Sequence, residues 1–311
     1  VGGFCILNAL IPICSSYLRA FGFSKEPLYA SIIGNVINFC LNAFFLFVLH
    51  KGVAGVATAT VISRIINLVI VVLLGAVLVK AKQHPERESN RAVMGQIIRI
   101  GLPSACETAI YNVSMTLVIR FLNQMDAQGL NVTARSYTMQ ITNFSYCVGA
   151  ALAQANAIMT GWHIGAKEYD ACDRGTKKAA VIGVIVAVIL ETVFTLCSGW
   201  IMQLFSKDPQ MVSLVGKLLA IDIVLEIGRV TNLVYGQALK TSGDAVFPVV
   251  MGACFMILCS VGGTYLFGIR LGLLAVGAYI GMTGDECVRA VGMYLRWKSG
   301  KWKEKGLVKS R

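Results

Sequence analysis

The sequence predicts an all-α integral membrane protein. It is a polytopic helical bundle with nine visible spans out of an expected twelve, in two six-span halves related as parallel repeats. Three observations carry this expectation. Of the 311 residues, 56% are hydrophobic and 14% charged, with mean hydropathy +0.68, whereas a soluble domain carries roughly 25% charged residues. The apolar runs exceed the roughly 18 residues that mark a membrane-spanning helix, and they are continuous, not alternating, which favours helices over a barrel. Nineteen Lys and Arg fall on alternate connections and the C-terminal tail, against Lys51, Lys207 and Arg270 on the opposite connections. That is the positive-inside pattern, with a cytoplasmic C-terminus. It assigns the net charge of +12 to topology and lipid headgroups, so the bilayer is an expected partner and nucleic acid is not.

The spans follow in order. The first, about Gly2–Leu18, leads into "LRAFGFSKEP" from Leu18 to Pro27. The second, Leu28–Leu49, carries Asn35, Asn38 and Asn42 on one face. The third, Val53–Val79, opens with the small-residue run "GVAGVATATVIS" from Gly52, and a polar connection containing "KQHPERESNR" follows it. The fourth, Ile98–Leu122, starts at Gly-Leu-Pro. Its Glu107 is either a carboxylate stabilised at a helix N-terminus or an intramembrane acid that titrates. The fifth, Thr133–Trp162, is unusually polar, with Gln140, Asn143, Tyr137 and Tyr146 among its residues. Such a helix is expected to line water or substrate, its aromatics stacking on organic cations; interhelical hydrogen bonding is the other role open to it.

The sixth span, Ala179–Phe205, is apolar apart from Glu191. The seventh, Val212–Gln237, is the richest: Asp222, Glu226, Arg229 and Asn232 step by four and three residues and share one helical face. They form either an internal ion pair beside a packing Asn, or a cavity wall for a cation or proton. The eighth span, Val246–Gly268, follows "LKTSGDAVFP" from Leu239 to Pro248, and the ninth, Leu271–Leu295, contains "GLLAVGAYIGMT" and "DECVR". In that last run Arg289 reaches Asp285 and Glu286, an ion-pair cluster expected to hold the lobe together. Each charge inside a span costs about 2.5–3.5 kcal/mol on insertion scales, so each needs a partner or a function. Arg64, Arg120 and Arg135 stand near enough to span ends to snorkel.

The two loops ending at Pro27 and Pro248 share a Leu, a basic residue, a Gly and a Pro at the same offsets, and each is followed by an apolar span and a Gly-rich restart. Repeated halves are a signature of secondary transporters, whose substrate site lies between them near the midplane. Spans one to three thus copy spans seven to nine, and spans four to six lack a partner. The economical expectation is that roughly 130 residues holding three spans precede Val1. Residues 1–79 are then the last three spans of an N-terminal lobe, 80–97 a cytoplasmic connection, 98–296 a six-span C-terminal lobe and 297–311 a basic cytoplasmic tail.

Other chemistries find little support. Nearly all ten Cys lie within spans with no CxxC pair, and the three His are far apart, so no metal site or cofactor is expected. No P-loop, GxSxG or HExxH pattern marks an ATP-driven pump or a hydrolase, and the chain is not expected to be an enzyme.

The motifs "YLRAFG", "IGLPSACE", "GRVTNLVYGQALKTSGD" and "DECVRAVGMYLRWKSGKW", in this order and spacing, resemble the multidrug and toxic compound extrusion (MATE) family over essentially the whole chain. The resemblance implies an antiporter in the bacterial inner membrane, acting as a monomer. It implies export of organic cations and other amphipathic compounds in exchange for protons or sodium, by alternating access. Glu107, Asp222, Glu226 and Arg229 are the expected ion or proton coupling residues, meeting across one cavity. Tyr111, Tyr137, Gln140, Asn143, Tyr146 and Asn232 are the expected cavity lining. The family's sodium-driven branch has acids where this chain has Tyr111 and Arg229, so that sodium site does not carry over as it stands. The competing expectation is a lipid-linked oligosaccharide flippase of the same superfamily, which needs a more cationic cavity; intramembrane acids outnumber intramembrane arginines here.

Overall fold

The computed structural model describes residues 4–80, 90–126 and 129–305. Residues 81–89 of the expected connection 80–97 lie outside them, as does the tail beyond residue 305, and residues 90–97 belong to the helix Asn90–Met125 and not to a loop. The described residues are helical, without strands, and form nine rods that correspond to the nine expected spans.

The chain divides into two compact units, Val1–Glu88 and Ser89–Arg311. The first contains α1 (Cys5–Ala20), α2 (Lys25–Ala43, continued by a π-helical turn Phe44–Val48) and α3 (Gly52–Lys80). Leu18, Ala30, Val71 and Val79 form its small core. Most of its apolar surface faces outward: only 6% of the apolar window in Lys25–Val48 and 11% of that in Gly52–Val79 is buried, as expected where lipid is the solvent. Asn38 donates to Ser63 Oγ at 3.1 Å and so joins α2 to α3, while Asn42 donates to Asn38 within α2 at 3.0 Å. Asn35 is exposed.

The second unit contains α4 (Asn90–Met125), α5 (Leu130–Gly165), α6 (Tyr169–Leu196), the short α7 (Ser198–Met202), α8 (Pro209–Thr241), α9 (Val246–Phe255, continued by π-helical turns to Arg270) and α10 (Leu274–Lys298). The helices overrun the expected spans because hydropathy marks only their apolar middles. The expected sixth span ends early: α6 stops at Leu196, and α7 restarts after Cys197. Pro at N1 and the Asp208 carboxylate, which accepts from Gln210 N–H at 3.0 Å, start α8. α8 is the pillar of the unit, packed against α5, α6 and α10 and leaving one stripe exposed, at Ser213, Lys217, Ala220, Val224 and Ile227.

The sequence repeat is also a repeat of backbone geometry. Gly22 and Gly243 both hold left-handed conformations, φ 88° and 92°. The N–H of Phe23 reaches the Leu18 carbonyl at 3.0 Å and that of Gly22 reaches Arg19 at 3.0 Å; Asp244 reaches Leu239 at 2.9 Å and Gly243 reaches Lys240 at 3.1 Å. Both are Schellman terminations, which satisfy the last helical carbonyls and need a residue free of the Cβ penalty at the left-handed position. The Gly shared by the two loops is therefore the residue that the turn requires.

The second loop has an additional fastening. The buried Asp244 carboxylate accepts from Arg296 Nε at 2.6 Å and Lys305 Nζ at 2.7 Å, tying the 3₁₀ helix Lys301–Lys305 to the loop. Trp302 stacks on Trp297 at 4.2 Å, and its indole donates to the Trp297 carbonyl at 3.0 Å. Burial alone would raise the Asp244 pKa, but the Arg296 and Lys305 partners outweigh it and hold the carboxylate below its ordinary range. The stability it contributes is therefore complete above the usual aspartate value of about 3.9, and is lost as acid protonates the folded carboxylate below it. Asp244→Asn should remove about 2 kcal/mol at pH 7, lowering the melting temperature of detergent-solubilised protein by roughly 4–8 °C. The gap to wild type should close below about pH 4; a gap independent of pH would refute the assignment.

Candidate functional site

A cavity of about 530 Å³ opens within the second unit, walled by α4, α5, α8, α9 and α10. That volume falls within the range of small-molecule sites. The side of α5 that faces it carries Arg135, Met139, Thr142, Asn143 and Tyr146, the i, i+4, i+7, i+8, i+11 stripe of one helical face. From α4 come Glu107 and Tyr111; from α8 come Asp222, Arg229, Asn232 and Lys240; from α10 come Tyr279, Glu286 and Arg289.

The expected site residues divide accordingly. Glu107, Tyr111, Asn143, Tyr146, Asp222, Arg229 and Asn232 line the one cavity. Tyr137 and Gln140 do not, because they lie off the α5 stripe. The Tyr137 ring packs against Phe205 with centroids 5.3 Å apart, and Gln140 is exposed. Glu226 is fully buried behind the lining. Glu107 does not meet the acids of α8 directly: its carboxylate accepts from Lys240 Nζ at 2.6 Å. Arg135 is not a snorkelling residue, being only 6% exposed, whereas Arg120 is exposed as expected.

The charges of α8 and α10 form one network. Arg229 pairs with Glu226 one turn before it, and stands 3.8 Å from Glu286. Arg289 holds Glu286 at 2.9 Å and Asp285 at 2.8 Å, and Asp285 accepts from Ser260 at 2.9 Å. Asn232 donates to Glu286 at 3.0 Å. The "DECVR" run thus ties α8, the α9 continuation and α10 together, beyond the pairing within one helix that its spacing indicates. Arg229 also lies 5.9 Å from the Tyr146 ring centroid, a cation–π contact across the cavity.

Behind Asp222 the structure assembles a cluster that spacing could not disclose. Carboxylate oxygens of Glu191 on α6 and of Asp222 and Glu226 on α8 all lie within 4.8 Å of one another, and all three residues are buried. Among the described residues, both Glu191 oxygens, Oδ2 of Asp222 and Oε2 of Glu226 have no hydrogen-bond partner. Ser145 of α5 approaches Glu191 from a third helix. Buried carboxylates left without donors are costly, and a proton or a hard cation such as sodium satisfies oxygen ligands of this kind. Asp222 belongs to both groups, lining the cavity and contributing to the cluster. Glu191 was visible in the sequence as the one acid of an apolar span, but only the α6–α8 packing reveals its partners.

Comparisons with known proteins follow the same lines. Residues 103–266 match the MatE family. The chain is 33% identical over 314 residues to YisQ, an uncharacterized transporter of Bacillus subtilis (strain 168), covering 99% of this chain and 69% of that protein. It is 22% identical over 309 residues to YoeA of the same organism, a probable multidrug resistance protein, covering 95% and 65%. A crystal structure of MATE in the bent conformation superposes with a TM-score of 0.82 at 18% identity, covering 96% of this chain and 67% of that one. The chain therefore spans about two thirds of the length of these relatives.

Proposed function

Because the chain belongs to the MatE family of multi-pass membrane transporters, we propose that it works as a secondary active antiporter, exporting drug-like amphipathic compounds in exchange for protons or sodium. Members of the family are transporters, not enzymes. The bacterial inner membrane is the proposed location, in keeping with the Bacillus relatives.

The observation that carries the reading is the double membership of Asp222. Exchange requires that ion and substrate compete for one group, directly or through its surroundings. A carboxylate that faces the cavity and also completes the Glu191–Asp222–Glu226 cluster supplies that competition. With the ion bound, Asp222 is neutralised; with the ion released, its charge is available to a substrate cation held between Tyr111 and Tyr146. Alternating access delivers the two ligands to opposite sides. Glu107, neutralised by Lys240, is a wall residue in this scheme, and the coupling role moves to Glu191.

The test is efflux of ethidium from cells expressing the protein, with the proton and sodium gradients collapsed separately. Efflux should stop with one of the two collapses and survive the other. Efflux indifferent to both would defeat the antiport reading, and absence of efflux for every cationic dye would move the assignment to lipid-linked substrates.

A further inference from the structure

The cavity contains a charge that its own walls do not answer. Three of its four cations are paired: Lys240 with Glu107, Arg229 with Glu226 and Glu286, and Arg289 with Asp285 and Glu286. The fourth, Arg135, forms no ion pair among the described residues. Its Nη2 contacts the thioether sulfur of Met115 at 3.7 Å, and its Nε has no partner among those residues. A thioether is a weak acceptor and leaves a guanidinium largely unsatisfied. At 6% exposure Arg135 cannot complete its hydrogen bonds with bulk water, and an uncompensated buried charge is among the most expensive features a fold retains. Yet the residue lines the cavity, beside Met139 and Tyr279.

We propose that Arg135 is an anion subsite of this cavity, receiving a substrate carboxylate. The chemistry selects that class. A planar guanidinium fork matches a planar carboxylate bidentately. A single cation, with no second basic side chain left free among the described cavity residues, neutralises a monoanion; a phosphate monoester carries about −1.5 to −2 and requires more. Met139, Tyr279 and Met282, which line the same cavity, provide an apolar and aromatic bed for the frame that bears the carboxylate. Asp222 lines the same cavity with one carboxylate oxygen unpartnered. The cavity thus presents one unanswered charge of each sign, and favours amphipathic monocarboxylates, including zwitterions whose cationic end turns to Asp222. This rests on the cavity being the substrate site proposed above, but it does not depend on which ion drives transport.

Three probes on one frame test it: 1-pyrenebutyrate, the uncharged 1-pyrenebutanol and the cationic 1-pyrenebutylamine, with binding to the purified full chain in neutral detergent followed by pyrene fluorescence. The carboxylate should bind at least about tenfold more tightly than the alcohol, as a charge-assisted bidentate contact implies. Arg135→Gln should abolish that preference while leaving the affinity for the alcohol within about twofold. Arg135→Lys, which retains the charge but not the fork, should retain part of the preference and covers the case in which the Gln variant does not fold. Equal binding of carboxylate and alcohol by wild type would overturn the subsite, as would a preference that survives Arg135→Gln. Because no gradient is present, the result is separate from the fate of the antiport reading: loss of gradient dependence in efflux refutes coupling, and loss of the carboxylate preference refutes the subsite.

Discussion

Glu191→Gln should lower gradient-driven efflux by at least about tenfold and leave the protein as stable as wild type or more so. Both parts follow from the same fact: Glu191 is fully buried, and neither carboxylate oxygen has a hydrogen-bond partner among the described residues. If the Glu191–Asp222–Glu226 cluster holds the exchanged ion, the substitution removes one of three negative ligands from it. A lost charge-assisted contact of roughly 1.5–3 kcal/mol corresponds to about 10- to 100-fold in ion affinity. In the ion-free protein the same substitution replaces an unsatisfied carboxylate by a neutral amide of nearly equal volume, which removes a desolvation cost. Loss of function with gain of stability is the mark of a group retained for work and not for folding. Asp222→Asn should also weaken coupling, and in addition alter the concentration dependence for substrate, because Asp222 faces the cavity as well. The measurement is efflux from proteoliposomes against imposed pH and sodium steps, with thermal unfolding in detergent alongside. A Glu191→Gln protein that transports like wild type at every step size would end the coupling assignment for the cluster.

How much of this was legible in the sequence depends on the range of the interaction. Span positions were legible, because about 20 apolar residues are needed to cross the hydrocarbon and hydropathy reads that length directly. The Schellman loops were legible as a repeated Leu-basic-Gly-Pro pattern, since the requirement for Gly22 and Gly243 is local to the turn. The polar face of α8 was legible from its helical spacing. The rotation of α5 was not: Tyr137 and Gln140 belong to a polar helix, but which stripe meets the cavity is settled by packing against α6 and α8. Nor was the pairing of Glu107 with Lys240, which are 133 positions apart. Glu191 shows the limit most clearly. A lone acid in an apolar helix announces a cost, but its partners come from how α6 lies along α8. Arg135 is the converse: proximity to a span end suggested snorkelling, and the fold buries it in the cavity wall, against Met115 of α4.

The contact that holds these groups in register is backbone on backbone, and it yields the largest stability effect expected of any single methyl group here. Gly277 and Gly281 lie four residues apart on one face of α10, the small-xxx-small spacing that lets membrane helices approach closely. A Cβ on Gly277 would sit 2.4 Å from the Phe267 carbonyl carbon and 2.5 Å from Gly268 N; one on Gly281 would sit 2.8 Å from the Cys259 carbonyl oxygen. These neighbours are main-chain atoms of the α9 continuation, which cannot rotate away as a side chain can. Gly277→Ala must therefore push α10 off α9, and α10 carries Asp285, Glu286 and Arg289, which bind Ser260 and Asn232 at the cavity wall. Overpacking a core costs about 1–3 kcal/mol where side chains can adjust, and here they cannot, so at least about 3 kcal/mol is expected, a large fraction of a total stability of about 5–15 kcal/mol. Gly284 on the same helix is the control: a Cβ there meets nothing within 4 Å. Gly284→Ala should be neutral or stabilising by up to about 1 kcal/mol, through the ordinary helix preference for Ala. Expression as monodisperse protein and melting temperature in detergent separate the two, with Gly277→Ala failing and Gly284→Ala matching or exceeding wild type. If both alanines behave alike, α9 and α10 do not meet through their backbones, and the placement of Glu286 against Arg229 and Asn232 loses its support.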